Sequence, residues 1–301
     1  MNSVKSAFTL ISLTVLLVSL TGCIEQPKTS EKINVVTTFY PLYEFSSRIG
    51  GDKADVSILV PAGVEPHEWD PVPRDIIKIE SADIFIYNGA GFEPFIDEII
   101  KKIESRKLII TDSSEGIELI KEDGVPDPHI WLDPTLAKYQ VNAIEKAFIR
   151  VDPQNKDYYS NNARELKQEL DALDEEISKG LAPAKKKVFI TSHSAFSYFA
   201  RRYNLTQIAI SGLSSDIEPS PAKIAGIVRL AKENNVKYIF FETLANPRLS
   251  QVIANEAGAR TLVLNPIEGL SEEQIKQGAN YFTIMRENLK NLKIALEAEN
   301  G

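Results

Sequence analysis

Histidine is the residue type in this chain best suited to chemistry near neutral pH, and there are three of them in 301 residues. His67 stands in Pro61-Ala-Gly-Val-Glu-Pro-His-Glu-Trp-Asp-Pro, His129 in Val125-Pro-Asp-Pro-His-Ile-Trp-Leu-Asp-Pro, and His193 in Thr191-Ser-His-Ser. Around His129, prolines at 126, 128 and 134 each fix their own φ and push the preceding residue towards extended geometry. A histidine held this rigidly serves either as a ligand aimed at a fixed point or as an ordinary turn residue. Three neutral imidazoles together suit a borderline divalent metal such as Zn2+. The competing reading is three unrelated loop histidines.

The elements that must position these residues alternate. Short apolar runs at 33–37, 56–60, 84–87 and 107–111 read as buried strands, with helices at 41–49, 74–81, 95–103 and 134–149 between or after them. Asp133 is placed to cap the last of these, with Pro134 at its first position. After residue 183 the alternation resumes. Strands are expected at 187–191, 207–210, 237–241 and 261–264, and helices at 195–203, 221–235 (capped by Ser220), 247–257 and 271–297. Strands alternating with helices predict parallel βα units. All three histidines then lie beyond the carboxyl ends of parallel strands, the edge where open α/β sheets bind ligands. Two fall in the first half and one in the second, so a site using all three sits between two lobes.

Between the halves, Tyr159, Ala163, Leu166, Leu170, Leu173 and Ile177 recur at spacings of four and three. They form one apolar stripe on a helix running from Asp152-Pro153 to a stop at Gly180, about 40 Å long. A coiled-coil dimer is the alternative use of such a stripe. It lasts only about three heptads, which favours packing against the chain's own lobes and a monomer.

The first residues read as a targeting segment. Lys5 precedes an apolar run from residue 7 to 20, closed by Leu20-Thr-Gly-Cys23, a lipobox-like ending before a polar stretch. Cys23 is the single cysteine, so no disulfide forms within the chain, and lipidation explains a lone thiol at this position. The expected organisation is therefore a signal peptide at 1–22, a linker at 23–32, an α/β lobe at 33–152, a connecting helix at 153–180 and a second α/β lobe at 181–301. Removing residues 1–22, which carry one Lys and no acid, takes the formal charge from −8 to −9. That balance argues against a nucleic-acid partner.

With those motifs in view, the chain resembles the ZnuA/TroA-like metal-binding lipoproteins of ABC-type zinc and manganese importers. The resemblance is carried by Val64-Glu-Pro-His-Glu-Trp-Asp, Asp127-Pro-His-Ile-Trp-Leu-Asp-Pro, Thr191-Ser-His-Ser-Ala-Phe-Ser-Tyr-Phe-Ala-Arg-Arg-Tyr, Glu218-Pro-Ser-Pro, Tyr238-Ile-Phe-Phe-Glu and Asn255-Glu-Ala-Gly-Ala-Arg. It covers essentially the whole chain after the leader. It implies two parallel-sheet α/β lobes joined by one long backbone helix, and a single metal in the inter-lobe cleft held by His67, His129 and His193. It also implies a membrane permease and an ATPase as partners. The expected location is the outer face of the cytoplasmic membrane, or the periplasm, with attachment through a lipid on Cys23.

The chain departs from the pattern of the family it resembles in three places. Where an Asp of an Asp-Pro pair usually supplies the fourth ligand, this chain has Asn265 before Pro266; Glu242 or a water is the other candidate for that position. Residues 113–127 contain several acids and no histidine, so an auxiliary metal-capturing loop is not expected. Ser194 follows His193 where relatives often carry Asp. Manganese carriers of the family replace the third His by Glu; His193 here favours Zn2+ over Mn2+. Asp127 and Asp133 flank His129 and are candidates either to accept from its other ring nitrogen or to cap the turn and helix. Two other functions remain open from sequence. One is a zinc hydrolase whose metal, held by the three histidines, binds the attacking water, with Glu242 as general base, although no His-Glu-x-x-His pair is present. The other is a surface adhesin of the same fold.

Overall fold

The computed structural model describes residues 32–105, 107–214 and 219–298. The signal peptide at 1–22, Cys23, nearly all of the 23–32 linker and Glu218 lie outside the described residues.

The first lobe is built from β1 (Ile33–Thr37), α1 (Tyr40–Gly50), β2 (Ala54–Ile58), α2 (Pro73–Glu80), β3 (Ile84–Tyr87), α3 (Ile96–Lys102) and β4 (Ile109–Asp112). A small hairpin, β5 (Lys121–Glu122) and β6 (Val125–Pro126), leads into α4 (Pro134–Val151). The four longer strands form one parallel sheet in the order β2-β1-β3-β4. After α5 (Lys156–Leu181), the second lobe follows as β7 (Val188–Thr191), α6 (Ser197–Arg202), β8 (Thr206–Ala209), α7 (Pro221–Glu233), β9 (Tyr238–Phe241), α8 (Arg248–Ala257), β10 (Arg260–Val263), α9 (Glu272–Lys276) and α10 (Tyr281–Ala295). Its parallel sheet runs β10-β9-β7-β8. Strands such as Ile-Asn-Val-Val-Thr bury consecutive side chains because helices cover both faces of each sheet.

On its outer face the first sheet packs Val36, Phe85 and Leu108 against Ile79 of α2 and Ile99 of α3. The second packs Ile190 and Ile239 against α7 and α8. The inner faces share a single core. Val35 and Ile86 of one sheet, Phe189 and Phe240 of the other, and the apolar sides of α1, α4, α5, α6 and α10 belong to one continuous cluster. The α5 stripe, Tyr159 through Ile177, is wholly buried in it and is not a dimerisation face. The opposite side of α5 carries acids that pair with both lobes. Glu169 meets Arg48, Asp171 meets Lys138, Asp174 takes Arg202 in a two-pronged pair, and Glu176 meets Arg286.

Two expectations are corrected and one element is added. The connecting helix passes through Gly180 and ends at Leu181; Ala182 keeps helical dihedrals as its cap, and Pro183, which has no N–H to donate, stops the ladder there. Gly180 serves packing instead, since a Cβ there would meet Leu289 at 3.0 Å. The closing helix expected at 271–297 is two helices. Gly278 takes φ +71°, and Asn280 caps α10 by accepting from Thr283 N at 3.0 Å. The hairpin was not anticipated, although Asp123-Gly124, with φ of 51° and 86°, is the sequence signal of a primed two-residue turn.

Candidate metal centre

Each histidine is delivered by a short turn beyond a strand end. His67 lies in the 3-10 turn Pro66–Glu68 after β2, and Glu65 accepts from its backbone N–H at 3.4 Å. His129 opens the 3-10 turn Ile130–Leu132, with Asp133 beyond it capping α4 through Thr135 N at 2.8 Å. His193 follows β7, its carbonyl held by Thr191 Oγ1 at 2.7 Å and Gln207 Nε2 at 2.9 Å. The His129 turn is further tied down by Asn88 Nδ2, which donates to Pro128 O at 2.9 Å. Phe92 and Trp131 lie against His67 and His129 respectively, with ring centroids 5.0 and 5.2 Å apart.

The three side chains converge. Nε2 of His129 and Nε2 of His193 are 3.3 Å apart. A fourth group joins them: Glu268 Oε1 lies 3.2 Å from His129 Nε2, 3.2 Å from His193 Nε2 and 3.5 Å from His67 Nε2. A tetrahedral metal bound at about 2.0–2.1 Å separates its ligand atoms by about 3.3–3.4 Å, so these spacings are those of a four-ligand shell. His67 Nε2 and Glu268 Oε2 are buried without a hydrogen-bond partner, as a site built for a cation requires. Among the described residues this is the group of His, Cys, Asp and Glu whose atoms could hold one ion.

The other ring nitrogens fix the tautomers. His129 Nδ1 donates to Asp127 Oδ1 at 2.8 Å, and His193 Nδ1 donates to Glu242 Oε1 at 2.7 Å, so both Nε2 lone pairs face the centre. Of the two acids flanking His129, then, Asp127 supports the ring and Asp133 caps the helix. Neither sequence candidate for the fourth position stands in the cluster. Glu242 is on the far side of the His193 ring. Asn265 turns its amide into its own loop, Oδ1 accepting from Ile267 N at 2.7 Å and Nδ2 donating to Thr243 Oγ1 at 3.0 Å. Sequence reasoning missed Glu268 because the family pattern points to the position just after β10 and the alternative acid, Glu242, directly follows β9. The signal available was an acid set among Ile267, Gly269 and Leu270, three residues further on.

Burial by itself would raise the Glu268 carboxyl, but the charges of His193 and His67 and hydrogen bonds from His129 and His193 hold it well below its ordinary range. Burial opposes charge on His193, yet Glu242 and Glu268 outweigh it and raise the imidazole well above 6.5. His129 is raised in the same sense: burial opposes, and the bonds to Asp127 and Glu268 prevail. Nearby, burial and the charge of Glu268 push Glu65 up to about 9, so it stays neutral beside the cluster.

Two parallel-sheet α/β lobes over a buried three-histidine, one-carboxylate cluster are the architecture of the metal-binding solute-binding proteins, a class that carries its metal as solute and is not enzymatic. Glu242, the general base of the hydrolase alternative, is committed to His193. The chain belongs to the ZnuA family, matching the model described as "Zinc-uptake complex component A periplasmic" over residues 35–295. It is 41% identical over 281 residues to the high-affinity zinc uptake system protein ZnuA of Bacillus subtilis, covering 88% of each chain. It is 38% identical to the zinc-binding lipoprotein AdcA of Streptococcus pneumoniae, covering 93% of this chain but only 59% of that longer protein. Among solved structures, the Zn(II)-bound ZnuA-like domain of AdcA superposes with a TM-score of 0.80 at 40% identity, over 88% of this chain and 99% of that one. The laminin-binding protein Lmb of Streptococcus agalactiae, described as having adhesin and metal transporting activity, gives 0.81 at 34% identity, again over 88% and 99%.

Proposed function

We propose that this protein captures Zn2+ outside the cytoplasmic membrane and delivers it to the permease of an ABC importer, the metal being cargo held by His67, His129, His193 and Glu268. The observation that carries this reading is the convergence of three Nε2 atoms on one carboxylate oxygen at 3.2–3.5 Å. Three nitrogens and one carboxylate suit Zn2+ better than Mn2+. The signal peptide at 1–22 would direct export and a lipid on Cys23 would hold the protein at the outer face of the cytoplasmic membrane, with the 23–32 linker, lobes at 33–152 and 181–301 and a helix at 153–180 completing a monomer. Among the described residues no helix is long and apolar enough to cross a membrane. The test is metal analysis of the protein purified without added metal, followed by competition titration with a zinc chelator. One tightly held zinc per chain is expected, and a chain that ignores zinc would overturn the reading.

A further inference from the structure

Glu268 reaches the histidines only because residues 265–267 form an unusual turn. Ile267 is a β-branched residue at φ +60°, a conformation such residues avoid. Its side chain is fully buried in the central core, while the carboxylate of the next residue, Glu268, reaches the histidines. Three buried side chains from separate parts of the chain hold the turn. Asn288 of α10 accepts from Asn265 N at 2.8 Å and donates to Asn265 O at 2.7 Å. Trp131, in the turn that follows His129, donates from Nε1 to Pro266 O at 2.6 Å, tying one lobe's ligand turn to the other's. Asn265 itself supplies the acceptor for Ile267 N and is locked by its bond to Thr243.

We propose that Asn265 is a positioning residue: its amide holds Ile267 in the strained turn that aims Glu268 at the three histidines. This rests on the reading of Glu268 as a zinc ligand. The side chain suits the task because its two ends differ. One is an acceptor matched to the Ile267 N–H, and the other is a donor matched to the Thr243 hydroxyl. Alanine removes both bonds, freeing Ile267 to relax to negative φ and rotate the following peptide, which carries the Glu268 carboxylate away from the Nε2 atoms. Aspartate retains the acceptor, and the Thr243 hydroxyl can turn to donate to it.

The experiment uses the full-length chain purified in detergent, with zinc titrated against a chromophoric chelator and Co2+ as a spectroscopic probe of coordination number. Asn265→Ala should weaken zinc about 10–100-fold, the scale of losing a residue that orients a ligand, and should cut the strong visible absorption of four-coordinate Co2+. Asn265→Asp should restore both to within several-fold of the parent. Thr243→Val should give a smaller loss in the same direction, and it decides the matter if Asn265→Ala does not fold. Wild-type affinity and cobalt spectrum in both Asn265→Ala and Thr243→Val would overturn the proposal, as would a loss in Asn265→Ala that Asn265→Asp does not repair. Tightening by Asn265→Asp beyond about tenfold would also overturn it, because residue 265 would then be reaching the metal itself. Glu268→Gln separates the two readings. If it leaves zinc and cobalt binding untouched, Glu268 is no ligand and the assigned centre fails; if it weakens both while the Asn265 and Thr243 variants do not, only the positioning role fails.

Discussion

His193 carries a carboxylate on each ring nitrogen, Glu242 at Nδ1 and Glu268 at Nε2, and the two have different tasks. Glu268 faces the other histidines and would share the metal's charge, whereas Glu242 orients the ring and sets its tautomer. Removing a ligand should therefore cost more than removing a support. His129→Ala and Glu268→Gln are expected to weaken zinc by more than about 100-fold, and Glu242→Gln by about 10-fold, since the amide oxygen still accepts from Nδ1. A chelator competition titration ranks them, and equal losses would contradict the division of roles. The pH response follows from the same groups. In the metal-free fold His129 and His193 titrate above 6.5, so they contribute stability fully below 6.5 and lose it as pH rises through their raised values. Glu93, buried in the first lobe and pushed up by burial to about 7, changes in the same sense. Glu268 is depressed, so its contribution disappears only in acid, as pH falls below 4.5 through its lowered value. The zinc-free protein should thus melt at lower temperature at about pH 8 than at about pH 6. Zinc binding must displace those protons, so the stabilisation added by zinc should grow over the same interval. Calorimetric scans with and without zinc check the opposed trends.

At the scale of elements, α5 joins the lobes. Its buried stripe makes it a core helix despite a polar average composition, and Leu166 and Leu170 are fully enclosed. Leu166→Ala or Leu170→Ala should cost about 2–5 kcal/mol in denaturant unfolding, through lost burial and the cavity left behind. A single transition is expected for both lobes, since they share the core that the helix spans. A cost below about 0.5 kcal/mol would mean that the stripe is not buried as described. Capping links elements across the lobes as well. Glu44 of α1 accepts from Tyr281 N at 2.7 Å, so a side chain of the first lobe serves the first turn of the second lobe's closing helix.

Over the whole molecule the lobes meet through a continuous core and through Trp131, whose indole donates to Pro266 while its carbonyl accepts from Tyr281 Oη at 2.6 Å. An interface packed in this way resists wide opening, because separating the lobes would expose core side chains and strand buried polar groups. The expected outcome is a small change between zinc-free and zinc-loaded protein in solution scattering, confined to the turns that bear His67 and Glu268. A large increase in radius of gyration on zinc removal would count against it.

The parts of this protein legible in the sequence are those with a local cause. Strand runs, the 3.6-period stripe on α5, the Asp133 and Ser220 caps and the proline-framed His129 all follow from side-chain periodicity and backbone restriction within a few residues. The three histidines were legible as candidates too, since His193 directly follows β7 and His67 and His129 stand in proline-framed loops beyond β2 and β4. The fourth member of the cluster was not. Glu268 lies 75 residues from His193 in the chain, and only the packing of the strained Ile267 turn brings it there. The same holds for Glu242 and Asn265, which sequence placed as rival ligands. Their distances along the chain from β9 and β10 were right, but the direction of each side chain depends on partners from other elements, His193 for one and Thr243 and Ile267 for the other. Composition and spacing name the groups able to bind a cation, while which oxygen faces it is decided by long-range hydrogen bonds that exist only once both lobes are packed.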